Sequence, residues 1–327
     1  MNPGTLRERL AEHGWAVIEL DELAQVRLAT PWLLVDTLLG EPPVMLEVQP
    51  IRAIAHARSF AASQAAAPLH TDAQLWHARP PELQLTACLH ASSQGGASLL
   101  VDTWAVLDRL QRDEPALARA AFEHARRIPF VFGDVLGATA TMRGGRACVV
   151  LGPHAPIDDV VGRGFARAIA AAPCERVTLR PGQALLLDNH RVVHGRDAFD
   201  DPRRTLVRVL AWLDRPLGAA PPWQPIAERV AARVRERLAE APAHLRRACG
   251  VEVDPPLRLD ERLVIAMLAG APPGALARRH GIDEPALYRL RARWLADAAR
   301  IAGAHELEPP ADGASSDAVL ARLNAAS

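Results

Sequence analysis

Residue types that bind metal ions in proteins occur at two separated places in this sequence. His70-Thr71-Asp72 sets an imidazole and a carboxylate two positions apart, and side chains at that spacing leave a strand on one face, where both can bind one metal ion. A chain with 12 histidines yields such an H-x-D pattern roughly once by chance, so the pattern alone does not establish a metal site. His194 follows an apolar run and a polar turn, where a single histidine is more often structural than a ligand.

Short strands are predicted around these residues. Apolar runs at 83–89 and 98–101 flank Gly95-Gly96, as two strands joined by a polar loop would. Further strand-like segments, mostly bounded by Gly, Pro or Asp, are 15–20, 128–132, 147–151, 176–179, 184–188 and 205–213. Helical spacing in this part of the chain is found at 7–13, 104–124 and 160–171. Many short strands with few helices predict a β-sandwich or barrel with helical decoration.

Composition narrows the class of protein. The 38 basic residues, all of them arginine, balance 38 acidic residues, so a surface built to bind a polyanion is not expected. The four cysteines lie far apart without a C-x-x-C pair, which disfavours a disulfide framework or a thiolate zinc site and fits a reducing compartment. The sequence shows neither a bilayer-spanning apolar segment nor the apolar core of a signal peptide. We therefore predict a cytoplasmic protein without a membrane partner.

The C-terminal third differs in composition from the rest. Residues 215–224 form a Pro-rich connector, beyond which Ala, Arg, Glu and Leu dominate with helical periodicity. We place a domain boundary here, with a β-rich domain at 1–214, a linker at 215–224 and a small all-α domain at 225–327. Within the last domain, residues 274–301 have helix-turn-helix spacing.

The residues able to carry chemistry belong to an ordered set of motifs. In chain order these are H-x-D at His70, Pro80-Pro81, G-G-x-S-x-x-x-D from Gly95, D-N-x-R-V-V-H-G-R-x-x-F from Asp188, and R-x-x-x-R from Arg204. Over residues 6–214 the set resembles the iron(II)- and 2-oxoglutarate-dependent oxygenases of the taurine dioxygenase and γ-butyrobetaine hydroxylase superfamily. This resemblance implies a double-stranded β-helix, or jelly-roll, core, followed here by the small all-α domain.

The resemblance assigns the metal ligands. His70, Asp72 and His194 match the family triad, in which two imidazoles and one carboxylate hold iron(II) and leave positions for 2-oxoglutarate and O2. The implied reaction couples decarboxylation of 2-oxoglutarate to succinate and CO2 with oxidation of a substrate C–H bond. Related halogenases replace the carboxylate by a small residue, so the intact Asp72 favours oxygenation, with hydroxylation as the default outcome.

The resemblance also assigns residues to the cosubstrate. Arg204 matches the family arginine that binds the distal carboxylate of 2-oxoglutarate, a role suited to the guanidinium fork. Arg208, on the same strand face, could assist the chelating carboxylate or bind an acidic group of the substrate. Ser98 matches a position that usually carries Thr, and its hydroxyl is predicted to bond the same carboxylate as Arg204. Three further motif residues are interpreted as supports of the turn before His194: Asn189, Arg191 and Arg196.

The aromatic content constrains the substrate. A quaternary ammonium ligand usually requires an aromatic cage, yet only 4% of the residues are aromatic and the sole tyrosine is Tyr288, in the C-terminal region. A tyrosine cage is therefore excluded. We expect a small polar metabolite such as an amino acid rather than γ-butyrobetaine.

The C-terminal region carries the alternative class of function. Residues 274–301 resemble transposase-type helix-turn-helix sequences, which would make the protein a DNA-binding regulator with the oxygenase part as sensor. The second helix, however, starts with the acidic pair Asp283-Glu284, which would repel phosphates, and it carries an apolar stripe that includes Leu287 and Leu290. We therefore expect a packing element, or a contact between subunits of a homo-oligomer, and not a nucleic-acid reader.

Overall fold

The computed structural model describes residues 3–20, 28, 30–54, 60–73, 80–128, 135–143, 145–152, 160–215, 217, 259–268 and 272–291. Its helices are α1 (Pro3–His13), α2 (Pro31–Leu39), α3 (Thr103–Asp113), α4 (Pro115–Glu123), α5 (Val160–Ala170), α6 (Leu259–Leu268) and α7 (Pro273–His280). A further helical stretch covers 284–291. The predicted linker, apart from residues 215 and 217, lies outside the described residues, as do 225–258 and 292–327.

Thirteen strands in the described part of the chain provide the core of the fold. They are β1 (Trp15–Glu19), β2 (Met45–Arg52), β3 (Ala67–His70), β4 (Leu83–His90), β5 (Ser98–Asp102), β6 (Ala125–Ile128), β7 (Val135–Ala138), β8 (Ala140–Arg143), β9 (Arg146–Val149), β10 (Glu175–Val177), β11 (Gln183–Asp188), β12 (Val192–Arg196) and β13 (Thr205–Trp212). One antiparallel sheet has the order β1-β11-β4-β13-β2 and the other β10-β5-β12-β3, while β6–β7 and β8–β9 are hairpins. This architecture confirms the predicted jelly-roll core.

The larger sheet has an outer and an inner face because side chains alternate along each strand. Leu85, Leu186 and Val209 on its outer face pack against Leu10 of α1 and Leu34 of α2. Residues at the alternate positions point the other way, toward the smaller sheet. This inner face carries the polar residues described below.

The smaller sheet follows the same rule. Val101 and Val193 face outward and pack against α3 to α5, in a cluster that includes Phe165. Leu100 and Val192, at the alternate positions of β5 and β12, face inward and join a cluster with apolar residues of the larger sheet. The space between the two sheets is therefore apolar at this end.

The fold differs from the sequence-based expectations at several elements, including the short strands β7 and β8, which were not predicted. The helical spacing at 104–124 forms two helices, because Pro115 has no N–H and begins a new helix, α4, with Glu114 between the two. The edge strand β2 was not predicted, since it contains Pro50 and its residues alternate between exposed and half-buried. Helix α2 was also not predicted, because nine residues give a weak periodic signal.

The described C-terminal helices pack against the β-rich part. Val264 of α6 is fully buried in a cluster with Trp212 of β13, Cys148 of β9 and Val150. Helix α7 ends at Gly281, whose φ of +64° is the left-handed conformation favoured by glycine, and helical residues 284–291 follow. Within the described residues, no helix is both long and apolar enough to cross a membrane. The domain boundaries, an oligomer contact and the absence of nucleic-acid binding stay predictions.

A substitution in α6 tests whether these helices act as a packing element. Val264→Asp is expected to destabilise the protein by roughly 2–5 kcal/mol, because it buries an unpaired carboxylate against Trp212. Leu259→Asp, in the same helix at a position that is 52% exposed, is the matched control and should leave the melting temperature nearly unchanged. Thermal unfolding of both variants measures the difference, and equal melting temperatures would show that α6 does not stabilise the sandwich.

Candidate metal centre

Strand pairing brings the three predicted metal ligands together. His70 ends β3 and lies directly opposite His194 of β12, with their ring centroids 4.4 Å apart. Asp72 follows two residues after β3, so the strand ends before the second half of the H-x-D motif. One potential ligand atom of each of the three residues lies within 4.8 Å of the others. His194 lies 124 positions after His70 in the sequence, and the pairing of β12 with β3 brings it next to His70 and Asp72.

The imidazoles are held in the neutral form that metal ions require. Burial lowers the pKa of His194 to about 3, and burial likewise lowers the pKa of His70. The Nδ1 of His70 lies 2.8 Å from the carbonyl oxygen of Pro68, an arrangement that assigns the proton to Nδ1 and leaves the Nε2 lone pair free. His70 Nε2 and His194 Nε2 lie 3.7 and 3.8 Å from the Asp72 carboxylate.

Asp72 is ionised in this setting. Burial by itself would raise the pKa of its carboxyl group, but Arg208 and the two histidines outweigh it and the pKa falls below the ordinary value. Nη1 of Arg208 donates to both carboxylate oxygens at 2.7 Å, and Nη2 donates to Oε1 of Gln49 at 2.5 Å. In this structure Arg208 therefore contacts a metal ligand, and its predicted role toward cosubstrate or substrate stays a prediction.

Asn189 fixes the backbone of Asp72. Its Oδ1 accepts a hydrogen bond from the Asp72 N–H at 2.9 Å, and its Nδ2 donates to the carbonyl oxygens of Asp72 and Pro81 at 3.2 and 3.0 Å. The motif predicted that Asn189 supports the His194 turn and gave no signal for this contact with Asp72, which lies 117 positions away. The side chain sets where the carboxylate points, so Asn189 is a positioning residue for the metal centre.

Replacing Asn189 tests that positioning role. Asn189→Ala is expected to weaken iron(II) binding by about 10–100-fold, because the Asp72 backbone loses two hydrogen bonds and Pro81 loses a third. Asn189→Asp keeps the acceptor and loses the two donors, so an intermediate loss is expected. Anaerobic iron(II) titration measures both affinities, and an unchanged affinity in the alanine variant would contradict the role.

Arg204 is a buried cation without an acidic partner among the described residues. Its side chain lies over the Phe199 ring at 4.9 Å, and Nη2 donates to the carbonyl oxygen of Gly96 at 3.0 Å. Only 6% of the residue is exposed, and burial lowers the pKa of its guanidinium. Gly96 has φ +75°, and a Cβ there would lie 2.8 Å from Arg204 Nε, so glycine is required for this close approach.

The other motif residues surround this position. Ser98 begins β5 on its inward-facing side, opposite Arg196 of β12, and no hydrogen bond of its hydroxyl is found among the described residues. Arg196 donates to three backbone carbonyls, those of Phe60, Ser63 and Ala65. Arg191 forms an ion pair with Asp102 at 2.7 Å. The two arginines thus hold neighbouring segments of the chain, and their predicted support of the turn before His194 stays a prediction.

The site fits an iron(II) ion and a dicarboxylate cosubstrate. Two neutral imidazoles and a carboxylate are the donor set of non-haem iron(II) oxygenases. Among the described residues, no acidic side chain pairs with the buried guanidinium of Arg204, and a carboxylate of 2-oxoglutarate would supply the missing anion. A jelly-roll core that presents these groups defines the class of 2-oxoglutarate-dependent oxygenases.

Comparison with a family model agrees with this class. The model described as "Taurine catabolism dioxygenase TauD, TfdA family" matches residues 4–147 and 163–210, which is more than half of the chain. The chain therefore belongs to the TauD, TfdA family. It is a 2-oxoglutarate-dependent dioxygenase whose cofactors are iron(II), 2-oxoglutarate and O2. No match was found among curated protein sequences.

Solved structures share the fold at low sequence identity. An asparagine oxygenase, in complex with Fe(II), 2S,3S-3-hydroxyasparagine and succinate, is 17% identical and has a TM-score of 0.51, over 67% of this chain and 84% of that one. The non-heme iron oxygenase OrfP, in complex with Fe and alpha-ketoglutaric acid, is 20% identical with a TM-score of 0.46, over 64% and 79%. The first likeness shows a shared fold.

Proposed function

We propose that this dioxygenase hydroxylates an unactivated C–H bond of a small polar metabolite such as an amino acid, with release of succinate and CO2. The observation that carries the proposal is the cluster of His70, Asp72 and His194, together with the buried guanidinium of Arg204, which has no acidic partner among the described residues. The intact carboxylate of Asp72 favours transfer of oxygen, because it occupies the position that a halide would need.

Each residue has a defined task in this proposal. His70, Asp72 and His194 would hold iron(II), which supplies activation of O2 when it is bound. Arg204 would bind the distal carboxylate of 2-oxoglutarate, and the hydroxyl of Ser98 would add a hydrogen bond to it. Asn189 keeps the Asp72 backbone in place throughout. The protein therefore orients the reactants and excludes water from them.

The inner face of the larger sheet supports a polar substrate. Gln84 and Thr86 of β4 are buried there, with Thr86 opposite Arg208, and Gln84 Oε1 is buried without a hydrogen-bond partner among the described residues. A buried amide oxygen without a partner favours a ligand that can donate a hydrogen bond to it. An amino acid carries such donors, whereas an apolar metabolite would leave this oxygen unsatisfied.

A spectrum and a substrate panel test the proposal. Anaerobic addition of iron(II) and 2-oxoglutarate to the protein should produce a metal-to-ligand charge-transfer absorption band, and a panel of free amino acids should stimulate succinate release in air. A hydroxylated product has one additional oxygen atom, which mass spectrometry detects. Stimulation by the panel with desaturated or cyclised products only would contradict hydroxylation, and stimulation by no amino acid would contradict the substrate class.

A further inference from the structure

A second carboxylate lies on the inner face and has no part in the iron or 2-oxoglutarate sites. Glu47 in β2 is opposite Leu210 of β13, and Gln49, two positions further on the same face, is opposite Arg208. Directly paired residues of an antiparallel sheet project from the same face. Because Arg208 contacts Asp72 from this face, Glu47 projects toward the same space as the metal centre.

The charge of Glu47 is not balanced by a direct contact. No ion pair or side-chain hydrogen bond to its carboxylate is found among the described residues. Arg208, the cation nearest in the strand register, donates to Asp72 and Gln49 instead. Burial raises the pKa of Glu47 to about 7, although Arg208 opposes the shift. A half-buried carboxylate in this position is stabilised by a cation that arrives from outside.

We infer that Glu47 is the subsite for a cationic group of the substrate, an ammonium or a guanidinium. This inference rests on the proposed function, since it names the charge class of the substrate bound beside the metal centre. A charge-assisted hydrogen bond to Glu47 contributes about 10-fold or more to affinity. It also orients the substrate, because the cationic end is fixed at β2 while the rest of the molecule extends toward the triad.

Nearly isosteric substrate pairs test this subsite directly. L-Arginine and L-citrulline differ in the charge of the terminal group, and a free amino acid and the corresponding α-hydroxy acid differ in the charge of the α-substituent. Calorimetric titration under anaerobic conditions, with the protein loaded with iron(II) and 2-oxoglutarate, measures binding without turnover. Wild-type protein should bind the charged member of at least one pair 10-fold or more tightly.

Variants of Glu47 identify the group responsible. Glu47→Gln and Glu47→Ala should each bring the ratio of the affinities for the charged and neutral compounds close to one. The ratio should change because affinity for the charged compound falls, while affinity for the neutral compound stays the same. Glu8→Gln, an exposed position on α1, is the matched control and should keep the wild-type ratio. A second substitution at Glu47 guards against one variant that fails to fold.

The outcomes separate this inference from the proposed function. The subsite is overturned, even if succinate is formed, by either of two results. The first is that wild-type protein binds the charged and neutral members of every pair with similar affinity. The second is that the preference for the charged member is unchanged in both Glu47 variants. Succinate release and product mass, measured in air with the same compounds, decide the proposed function. Cation-dependent binding that is lost in both Glu47 variants supports the subsite, whatever product is formed in air.

Discussion

An Asp72→Ala protein should lose iron(II) affinity by at least about 100-fold and form no succinate above background. Asp72 is the one carboxylate of the ligand cluster, so the variant retains two imidazoles only. Arg208, which donates to both Asp72 oxygens at 2.7 Å, would also become an unbalanced positive charge next to those imidazoles. Both changes disfavour a bound cation. Anaerobic titration with iron(II), followed by a succinate assay in air, measures the two losses.

Controls separate metal binding from folding in that experiment. Breaking a buried ion pair costs on the order of 3–5 kcal/mol, so the variant should also melt at a lower temperature. An Asp72→Ala/Arg208→Ala protein removes both charges and should regain melting temperature without regaining iron affinity. His90→Ala removes an exposed imidazole that pairs with Asp201 and should keep iron binding and turnover. Full substrate oxidation by the single variant, without an added carboxylate, would overturn the triad.

The order of motifs predicted much of this site from sequence. The H-x-D motif is local, so its residues can be found by spacing, whereas His194 joins them through the β12–β3 register. Spacing alone does not give that register, and a lone histidine after an apolar run is ambiguous. The family motif order resolved the ambiguity, because it fixes which distant strand pairs with β3.

Contacts between different motifs, and residues outside the motifs, were not predictable in the same way. The hydrogen bonds between Asn189 and Asp72 join residues that lie 117 positions apart, and no pattern in the sequence predicts them. Glu47 and Gln49 lie in β2, where Pro50 argues against a strand. One signal was available, since Glu47 and Gln49 alternate with the apolar residues Leu46 and Val48 at the spacing of a strand. Which of the two faces is buried depends on the pairing with β13, which is a long-range property.

Arg204→Ala should raise the KM for 2-oxoglutarate by about 100-fold or more and leave iron(II) affinity nearly unchanged, since each charge-assisted hydrogen bond contributes roughly 1.5–3 kcal/mol. The guanidinium is 6% exposed and has no acidic partner among the described residues, so its charge is available to a cosubstrate carboxylate. Arg204→Lys keeps the charge but loses the planar fork and should give a smaller rise. Succinate formation at varied 2-oxoglutarate concentrations measures the change.

The neighbouring arginines make this prediction specific. Arg203→Ala alters an exposed side chain that pairs with Asp201 at 2.9 Å, and it should leave the KM for 2-oxoglutarate unchanged. Arg208→Ala removes the partner of Asp72, so its principal effect should fall on iron(II) affinity. The three variants therefore separate a general loss of positive charge from loss of the buried guanidinium. A normal 2-oxoglutarate dependence in Arg204→Ala, together with a lost dependence in Arg208→Ala, would exchange the roles of the two residues.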